Sequence, residues 1–263
     1  MRITHRFYLL SHIIHLRYPA WESNISRLAP FMIDRDLNYG RHIIEHYLAS
    51  VKDYHTVLDL GAGQGDDLLL AKKVNPSAQL HAVECYGPYI QNLENKGIKV
   101  HSLNIEQDKF TFLNESVDII IANQILEHTK EIFWILHEVS RTLKVGGKAI
   151  IGIPNLASLH NRLLLLLGQQ PTSLKNNSAH VRGYTLPDFK MLLDSGFPGG
   201  YKLLKYEGSN FYPFPPFIAK NLAKVFPTMA WSIFLLVEKQ RKYNNEFLEY
   251  PIANRLETNF FLG

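Results

Sequence analysis

The sequence is poor in cysteine and in long apolar runs. Its 263 residues include one cysteine, Cys85, so the chain cannot form an internal disulfide, which is typical of a reducing compartment. No apolar run reaches the roughly 20 residues that a membrane-spanning helix needs. The N-terminus lacks the apolar core and small-residue cleavage site of a signal peptide. These absences predict a cytoplasmic protein and argue against a disulfide-stabilised secreted domain.

Signatures of two kinds of catalytic site are also missing. With one cysteine and no dense acidic cluster, we expect no metal site. There is no Gly-x-Ser-x-Gly pattern to place a catalytic serine on a sharp turn. The formal net charge is +4, and the basic residues are scattered along the chain. This charge permits an anionic partner, but the scattered basic residues do not indicate a clustered binding site for nucleic acid.

The N-terminal segment differs from the rest of the chain in its composition. They carry arginines and histidines interleaved with apolar residues, and no acid precedes Glu22. We predict an N-terminal helical extension over residues 1–36, packed on the core or on a second copy of the chain in a homodimer. An alternative stays open, in which this helix makes peripheral contact with an anionic membrane surface.

The most informative stretch runs from Val57 to Asp67. Residues 57–60 read as a buried parallel strand. Glycines then occur at alternate positions, 61, 63 and 65, where the backbone can turn tightly and approach a ligand. The acids Asp66 and Asp67 open the following helix. A turn of this kind, at the carboxyl end of the first strand, is where open α/β sheets bind nucleotide-like ligands.

The residues of this turn favour a ligand without phosphates. A dinucleotide-binding loop has its third glycine where this chain has Asp66. Two acids in the first helical turn also satisfy the helix dipole and repel a second anion. A cationic ligand such as S-adenosylmethionine therefore fits better.

Four ordered blocks resemble class I S-adenosylmethionine-dependent methyltransferases. They are the glycine loop beginning at Asp59, the strand of residues 81–84 that ends in Glu84, residues 116–128 and residues 143–151. The resemblance covers roughly residues 55–155 and implies S-adenosylmethionine as the cofactor. It implies that the cofactor-binding residues are Asp59, Gly61, Ala62, Gly63, Gly65, Glu84, Cys85, Asn104, Ile105, Asn123 and Gln124. Asn104 departs from the family, which often has aspartate at this position.

The alternation of strands and helices predicts the fold class. We expect an α/β protein, a Rossmann-like three-layer sandwich with a seven-stranded, mostly parallel sheet. The resemblance implies that the last strand is antiparallel and lies beside the fifth. Strands are predicted near residues 56–60, 79–84, 98–103, 117–123, 147–153, 201–207 and 231–237. Helices are predicted at residues 37–49 and from a capping box at Thr185 to a stop at Gly196.

Two stretches interrupt this pattern and are predicted to hold the substrate. The methyltransferase domain spans residues 37–240, with insertions at residues 155–184 and 209–229, and a C-terminal tail follows at residues 241–263. The prolines of residues 211–217 argue against regular structure there. The tail carries aromatic residues that we expect to pack back on the domain or across a dimer interface.

The candidate chemical residues lie after the fourth strand and in the first insertion. Histidine is the default general base near neutral pH, so His128 and His180 are the catalytic candidates. Glu127, Arg182 and Tyr184 are the candidate substrate-binding residues. A weaker hypothesis has Tyr39 and Arg41 close over the cofactor.

These features together predict a methyltransferase that acts on a small-molecule acceptor. We expect transfer to an oxygen, with nitrogen or carbon as less favoured atoms, of an acceptor such as a sugar or a lipid-linked intermediate. The chain is similar in this respect to quinone-biosynthesis and surface-glycan methyltransferases. Two alternatives stay open: a nucleic-acid methyltransferase, and a noncatalytic binding protein with a degenerate methyltransferase fold.

Overall fold

The structure, a computed structural model, describes residues 34–51 and 53–258. The predicted N-terminal extension therefore lies almost wholly outside the described residues, as do the last aromatic residues of the C-terminal tail. Among the helices of the described ranges, none is long and apolar enough to cross a membrane.

Seven strands form one sheet, in the order β3-β2-β1-β4-β5-β7-β6. Their bounds are β1 Thr56–Leu60, β2 Gln79–Val83, β3 Lys99–His101, β4 Val117–Asn123, β5 Leu143–Pro154, β6 Tyr201–Ser209 and β7 Ser232–Lys239. The first five strands are parallel, whereas β7 runs antiparallel between β5 and β6. This confirms the predicted Rossmann-like sandwich with an antiparallel last strand beside the fifth.

Helices cover both faces of the sheet. Their bounds are α1 Arg41–Val51, α2 Asp66–Val74, α3 Gly87–Asn95, α4 Ile132–Thr142, α5 Leu159–Leu166, α6 Leu186–Gly196, α7 Pro216–Val225 and α8 Glu246–Ala253. Short 3-10 helices lie at Asp36–Tyr39, Leu126–His128, Thr172–Leu174 and Pro227–Met229.

The alternation of side chains along β4 shows why the core has two halves. Ile120 and Ala122 point into one apolar cluster, formed with α4, α6 and α8. Ile119 and Ile121 point into the other, formed with α1, α2 and α3. Because successive side chains of a strand face opposite ways, a strand buried on both faces reads as a continuous apolar run.

Two expectations about local structure need correction. The helix predicted at residues 37–49 is broken by Gly40, whose φ of +52° ends a 3-10 turn before α1 begins. The stretch of residues 211–217 is irregular only at first, because α7 begins at Pro216. Proline is well accepted in the first turn of a helix, where its missing N–H needs no partner.

Two strands differ from their predicted bounds, whereas one helix has the predicted cap and end. β3 has only three residues, and β5 begins at Leu143, before the glycine turn that was expected to precede it. The cap of α6 is as predicted, since Oγ1 of Thr185 accepts a hydrogen bond from the backbone amide of Asp188. Gly196 is the last residue of that helix.

The first part of the C-terminal tail packs against the domain. Phe247 of α8 is fully buried in the cluster that includes α4 and α6. A Cβ atom at Gly196 would lie 2.2 Å from its ring, so the glycine makes room for the tail.

Candidate active site

The carboxyl ends of β1, β2 and β4 meet at one edge of the sheet, and the glycine loop of residues 61–65 lies there. Gly61, Gly63 and Gly65 have φ values of +66°, +53° and +80°, a region that favours glycine. A Cβ atom at Gly61 or Gly65 would approach Ile125 or Leu93 within 2.7 Å. At Gly63 a Cβ atom would meet nothing within 4 Å in the described chain. Packing therefore requires the outer two glycines, whereas Gly63 faces open space.

Glu84 fixes this loop to the end of β2. Its carboxylate accepts hydrogen bonds from the backbone amides of Gly63 at 3.0 Å, Cys85 at 2.8 Å and Tyr86 at 2.9 Å. The residue is 8% exposed. An ionised carboxylate offers about four acceptor positions, so Glu84 retains capacity for a ligand hydroxyl. The predicted strand-terminal acid thus lies directly beside the loop.

The buried carboxyl group of Asp59 interacts with those of Glu84 and Asp67. Burial raises the pKa of Asp59 well above its ordinary value, and the charges of Asp67 and Glu84 raise it further. Burial also raises the pKa of Asp67, which a hydrogen bond from Asn123 and the charge of Arg41 partly offset. Three acids around one loop favour a cationic group over an anionic one.

Asn123 connects the end of β4 to the first turn of α2. Its Nδ2 donates to Oδ2 of Asp67 at 2.8 Å and to the carbonyl oxygen of Tyr39 at 3.0 Å. Arg41 forms an ion pair with Asp66 at 2.8 Å, and its guanidinium lies 4.8 Å from the centre of the Tyr39 ring. Tyr39 and Arg41 therefore lie beside the first turn of α2. Their closure over a cofactor stays a prediction.

Several buried polar atoms at this edge lack a hydrogen-bond partner. Within the described ranges they include Oδ1 of Asn123, Nε2 of Gln124 and Oε2 of Glu127. Buried polar atoms are nearly always hydrogen-bonded in folded proteins. Three such atoms lie within the five residues from Asn123, the last residue of β4, to Glu127, which makes this edge the candidate position for a ligand.

Glu127, His128 and His180 form a second group at this edge, which we call the edge cluster. Each offers one ligand atom, and these atoms lie within 4.8 Å of one another. The two imidazole rings meet edge to face with their centres 4.6 Å apart. The sequence-based catalytic candidates are thus brought together with Glu127.

Burial dominates the titration of the edge cluster. It raises the pKa of Glu127 to about 7, against a lowering effect of the residue's own backbone amide. Burial lowers the pKa of His128, with a further contribution from His180. Burial also lowers the pKa of His180, whereas the carbonyl of Ser173 opposes the shift.

The first insertion holds the edge cluster in place. The backbone amides of Val181 and Arg182 donate to the carbonyl oxygen of Glu127 at 2.8 and 3.1 Å. The guanidinium of Arg182 donates to the carbonyls of Thr129 and Lys130. The insertion therefore pairs with the loop after β4 along its backbone.

Tyr184 is placed deeper than a substrate-binding residue needs to be. It is 3% exposed, and its hydroxyl donates to the carbonyl oxygen of Leu126 at 3.3 Å. In this position Tyr184 supports the loop that carries Glu127. Direct contact with an acceptor stays a prediction.

The remaining predicted cofactor-binding residues make contacts that do not by themselves indicate a ligand. Oδ1 of Asn104 accepts a hydrogen bond from the backbone amide of Glu106 at 3.0 Å, which occupies one of its two acceptor positions. Ile105 packs against the apolar cluster that includes α4, α6 and α8. The amide of Ala62 is directed at the Val83 carbonyl at 3.4 Å, and Cys85 is exposed. Their roles toward a cofactor stay predictions.

Asp67 is the residue of this site that sequence reasoning missed. The acids at positions 66 and 67 were attributed to the helix dipole, yet Asp67 is buried beside Asn123. A signal existed, since Asp67 lies one helical turn before Ala71, on the buried face of α2.

Comparison with known proteins identifies a family that the chain matches. The model of the family described as "Methionine biosynthesis protein MetW" matches residues 41–193, which is more than half of the chain. A curated protein of Streptomyces fradiae, the uncharacterized 37.1 kDa protein in transposon TN4556, is 28% identical over 108 residues. That match covers 40% of this chain and 31% of the relative, so the chain spans less than a third of that relative's length.

Solved structures share the fold at low sequence identity. YcgJ from Bacillus subtilis has a TM-score of 0.52 and 18% identity, over 77% of this chain and 100% of that one. A SAM-dependent methyltransferase from Archaeoglobus fulgidus has a TM-score of 0.55 and 15% identity, over 82% and 99%. The plantazolicin methyltransferase BpumL in complex with SAH has a TM-score of 0.52 and 18% identity, over 84% and 89%. On the match to residues 41–193 and on this fold, the chain belongs to the MetW family and has the class I methyltransferase architecture.

Proposed function

We propose that this protein is an S-adenosylmethionine-dependent methyltransferase that methylates an oxygen of a small molecule. One observation carries the proposal. The open space at Gly63 lies beside the carboxylate of Glu84. That carboxylate interacts with Asp59, which interacts with Asp67, and Asp67 is hydrogen-bonded to the end of β4, where buried polar atoms lack partners in the described chain. This arrangement fits a ligand that is both cationic and rich in hydrogen-bonding groups.

The residues present fit S-adenosylmethionine group by group. Asp59 and Asp67 suit the ammonium group of the methionine part, and Glu84 suits the ribose hydroxyls. Asn123 and Gln124 have a free acceptor and a free donor, respectively, in the described chain. When bound, the cofactor supplies an electrophilic methyl group on a positively charged sulfur. The structure of BpumL in complex with SAH supports the same choice of ligand by analogy of fold.

The edge cluster is the part of the site suited to an acceptor hydroxyl. Methylation at oxygen requires that the hydroxyl proton be removed. The rings of His128 and His180 are in direct edge-to-face contact, and the buried carboxyl group of Glu127 lies beside them. The insertion that carries His180 pairs with the loop after β4, a position that suits exclusion of water and positioning of a small acceptor.

The second insertion gives a proposal for the acceptor class. Tyr212 packs edge to face on Trp231 with ring centres 4.4 Å apart, and Phe217 is 72% exposed. Aromatic faces of this kind suit contact with a sugar ring or a lipid chain. We therefore propose a sugar or a lipid-linked intermediate as the first acceptor class to test.

The experiment is a transfer assay with the full chain. Labelled S-adenosylmethionine is incubated with hydroxylated sugars and lipid-linked glycans, and S-adenosylhomocysteine and methylated product are measured together. We expect the two products in equal amounts. The His128→Ala variant should lower turnover at least about 100-fold, the size of the effect expected when removal of the hydroxyl proton is no longer assisted, while its cofactor affinity stays within twofold of the unmodified chain. Full turnover in this variant would exclude His128 from the mechanism. No product with any acceptor, despite cofactor binding, would refute the transfer proposal.

A further inference from the structure

The edge cluster has the composition of a metal site. Glu127 supplies a carboxylate, His128 and His180 supply imidazole nitrogens, and their ligand atoms lie within 4.8 Å of one another. We infer that Glu127, His128 and His180 bind one divalent transition-metal ion, which holds and activates the oxygen of the acceptor. The role of the ion rests on the proposed function, whereas its binding does not.

Glu127 points to a ligand independently of the histidines. The residue is 1% exposed, and its Oε2 is buried without a hydrogen-bond partner in the described chain. Arg182 does not neutralise it, because this guanidinium donates to the carbonyls of Thr129 and Lys130. A buried carboxylate without a cation is costly, and a bound metal ion would remove that cost.

The orientation of both histidines is the one that metal ligands use. Nδ1 of His180 lies 2.9 Å from the carbonyl oxygen of Ser173, and Nδ1 of His128 lies 3.3 Å from that of Ala179. A carbonyl can only accept, so each Nδ1 carries the proton and each Nε2 keeps its lone pair. Metal-binding histidines commonly donate their second N–H to a backbone carbonyl in this way.

The geometry needs only a small closure. Oε1 of Glu127 and Nε2 of His128 are 3.9 Å apart. Neighbouring ligand atoms of a tetrahedral ion with bonds of about 2.1 Å lie about 3.4 Å apart, so this pair of atoms must approach by about 0.5 Å. The backbone pairing of Val181 and Arg182 with Glu127 keeps the insertion close enough for this.

The ligand set indicates the class of ion. Two imidazoles and one carboxylate suit Zn²⁺, Mn²⁺, Fe²⁺ or Co²⁺, whereas Mg²⁺ prefers oxygen ligands. The His128 side chain is 38% exposed, which leaves an open side for a further ligand, as in catalytic metal sites. An acceptor hydroxyl bound there would lose its proton to water more easily, its electron pair remaining on the metal-bound oxygen.

The sequence pattern predicts no metal site, and this inference differs from that prediction. His128 and His180 are far apart in the chain, and neither belongs to a short metal-binding motif. The pairing of the insertion with the loop after β4 brings them together, and this pairing has no local signature.

The test uses Co²⁺ as the probe and the full chain without a purification tag. Chelator-stripped protein is titrated with Co²⁺, and binding is followed by the visible absorption of the bound ion and by calorimetry. We expect one ion per chain with micromolar affinity, displaced by Zn²⁺ but not by Mg²⁺ at the same concentration. Glu127→Gln and His180→Ala should each weaken binding at least about 10-fold.

A second pair of histidines provides the matched control. His42 and His46 lie one turn apart on α1, a spacing that can also bind such ions. His46→Ala should leave the Co²⁺ affinity unchanged. Loss of binding in His46→Ala, unchanged binding in both cluster variants, or the absence of stoichiometric binding would overturn the inference.

The design separates this inference from the proposed function. S-adenosylmethionine is titrated into the same stripped protein. Binding of Co²⁺ without binding of S-adenosylmethionine would uphold the metal site and contradict the methyltransferase. The opposite result would contradict the metal site alone, and the imidazoles would then act directly as bases.

Discussion

The backbone amide of Gly63 donates a 3.0 Å hydrogen bond to Oε2 of Glu84. This bond joins the glycine loop after β1 to the acid that ends β2. Because the same carboxylate also accepts from the amides of Cys85 and Tyr86, its position is set before any ligand arrives. A preorganised acceptor of this kind loses little conformational freedom when it binds hydroxyl groups.

Replacement of Gly63 by arginine tests the open space in the loop. We expect Gly63→Arg to abolish binding of S-adenosylmethionine, because the side chain fills space that no atom of the described chain occupies. The positive φ costs about 1–2 kcal/mol for a residue other than glycine, so the protein should still fold. Calorimetry and thermal unfolding measure the two effects separately.

Gly146→Arg is the matched control for that variant. Gly146 also has a positive φ, +81°, and no atom of the described chain lies within 4 Å of its Cβ position, but it lies in the irregular first part of β5, at the amino end of the sheet. The control should lose similar stability and keep full affinity. Retained binding in Gly63→Arg would show that the loop does not contact the cofactor.

Removal of the Glu84 carboxylate tests the proposed ribose contact. Glu84→Ala should weaken the binding of S-adenosylmethionine about 10-fold or more, because each hydrogen bond to a charged group contributes about 1.5–3 kcal/mol. Glu94→Ala, at an exposed position of α3, is the control and should bind normally. An equal affinity in Glu84→Ala and Glu94→Ala would exclude Glu84 from the site.

Much of the fold could be predicted from local sequence. β1 and β4 are apolar runs, and the spacing of Gly61, Gly63 and Gly65 identifies the turn between β1 and α2. Glu84 could be placed because it directly ends a strand. These features depend on neighbours in the chain, which is why the pattern reveals them.

The rest of the site depends on contacts that the sequence does not display. Asp67 and Asn123 are 56 positions apart, yet they share a 2.8 Å hydrogen bond. His128 and His180 meet only because the backbone of the insertion pairs with Glu127. The start of α7 at Pro216 was missed because a proline that begins a helix resembles one that prevents it.

Acid stability should depend on Glu138, a fully buried residue of α4. Burial raises its pKa, but hydrogen bonds from Arg141, from His137 and from the amide of Phe110 outweigh this and lower the pKa from 4.5 to about 2. A lowered pKa stabilises the folded protein above pH 4.5, and the contribution disappears as the pH falls toward 2. The loss should be on the order of 3 kcal/mol.

Urea unfolding between pH 5 and 2.5 checks this dependence. The comparison is between the unmodified chain and Glu138→Gln, which cannot ionise. We expect Glu138→Gln to be less stable at pH 5 and to show a shallower decline on acidification. The same slope in both proteins would contradict the assignment.

The cap of α6 gives a smaller, local prediction. Oγ1 of Thr185 accepts from the amide of Asp188, so Thr185→Ala should lower the free energy of unfolding by about 1 kcal/mol. Thr185→Ser keeps the hydroxyl and should retain most of that stability. If both variants unfold at the same urea concentration, the hydroxyl does not act as a cap.

The central claim is that the glycine loop and Glu84 bind S-adenosylmethionine. Calorimetric titration of the purified full chain, with NAD as the control ligand, tests this claim most directly. The account predicts one S-adenosylmethionine per chain with micromolar affinity and no binding of NAD. Binding of NAD, or no binding of either ligand, would contradict it.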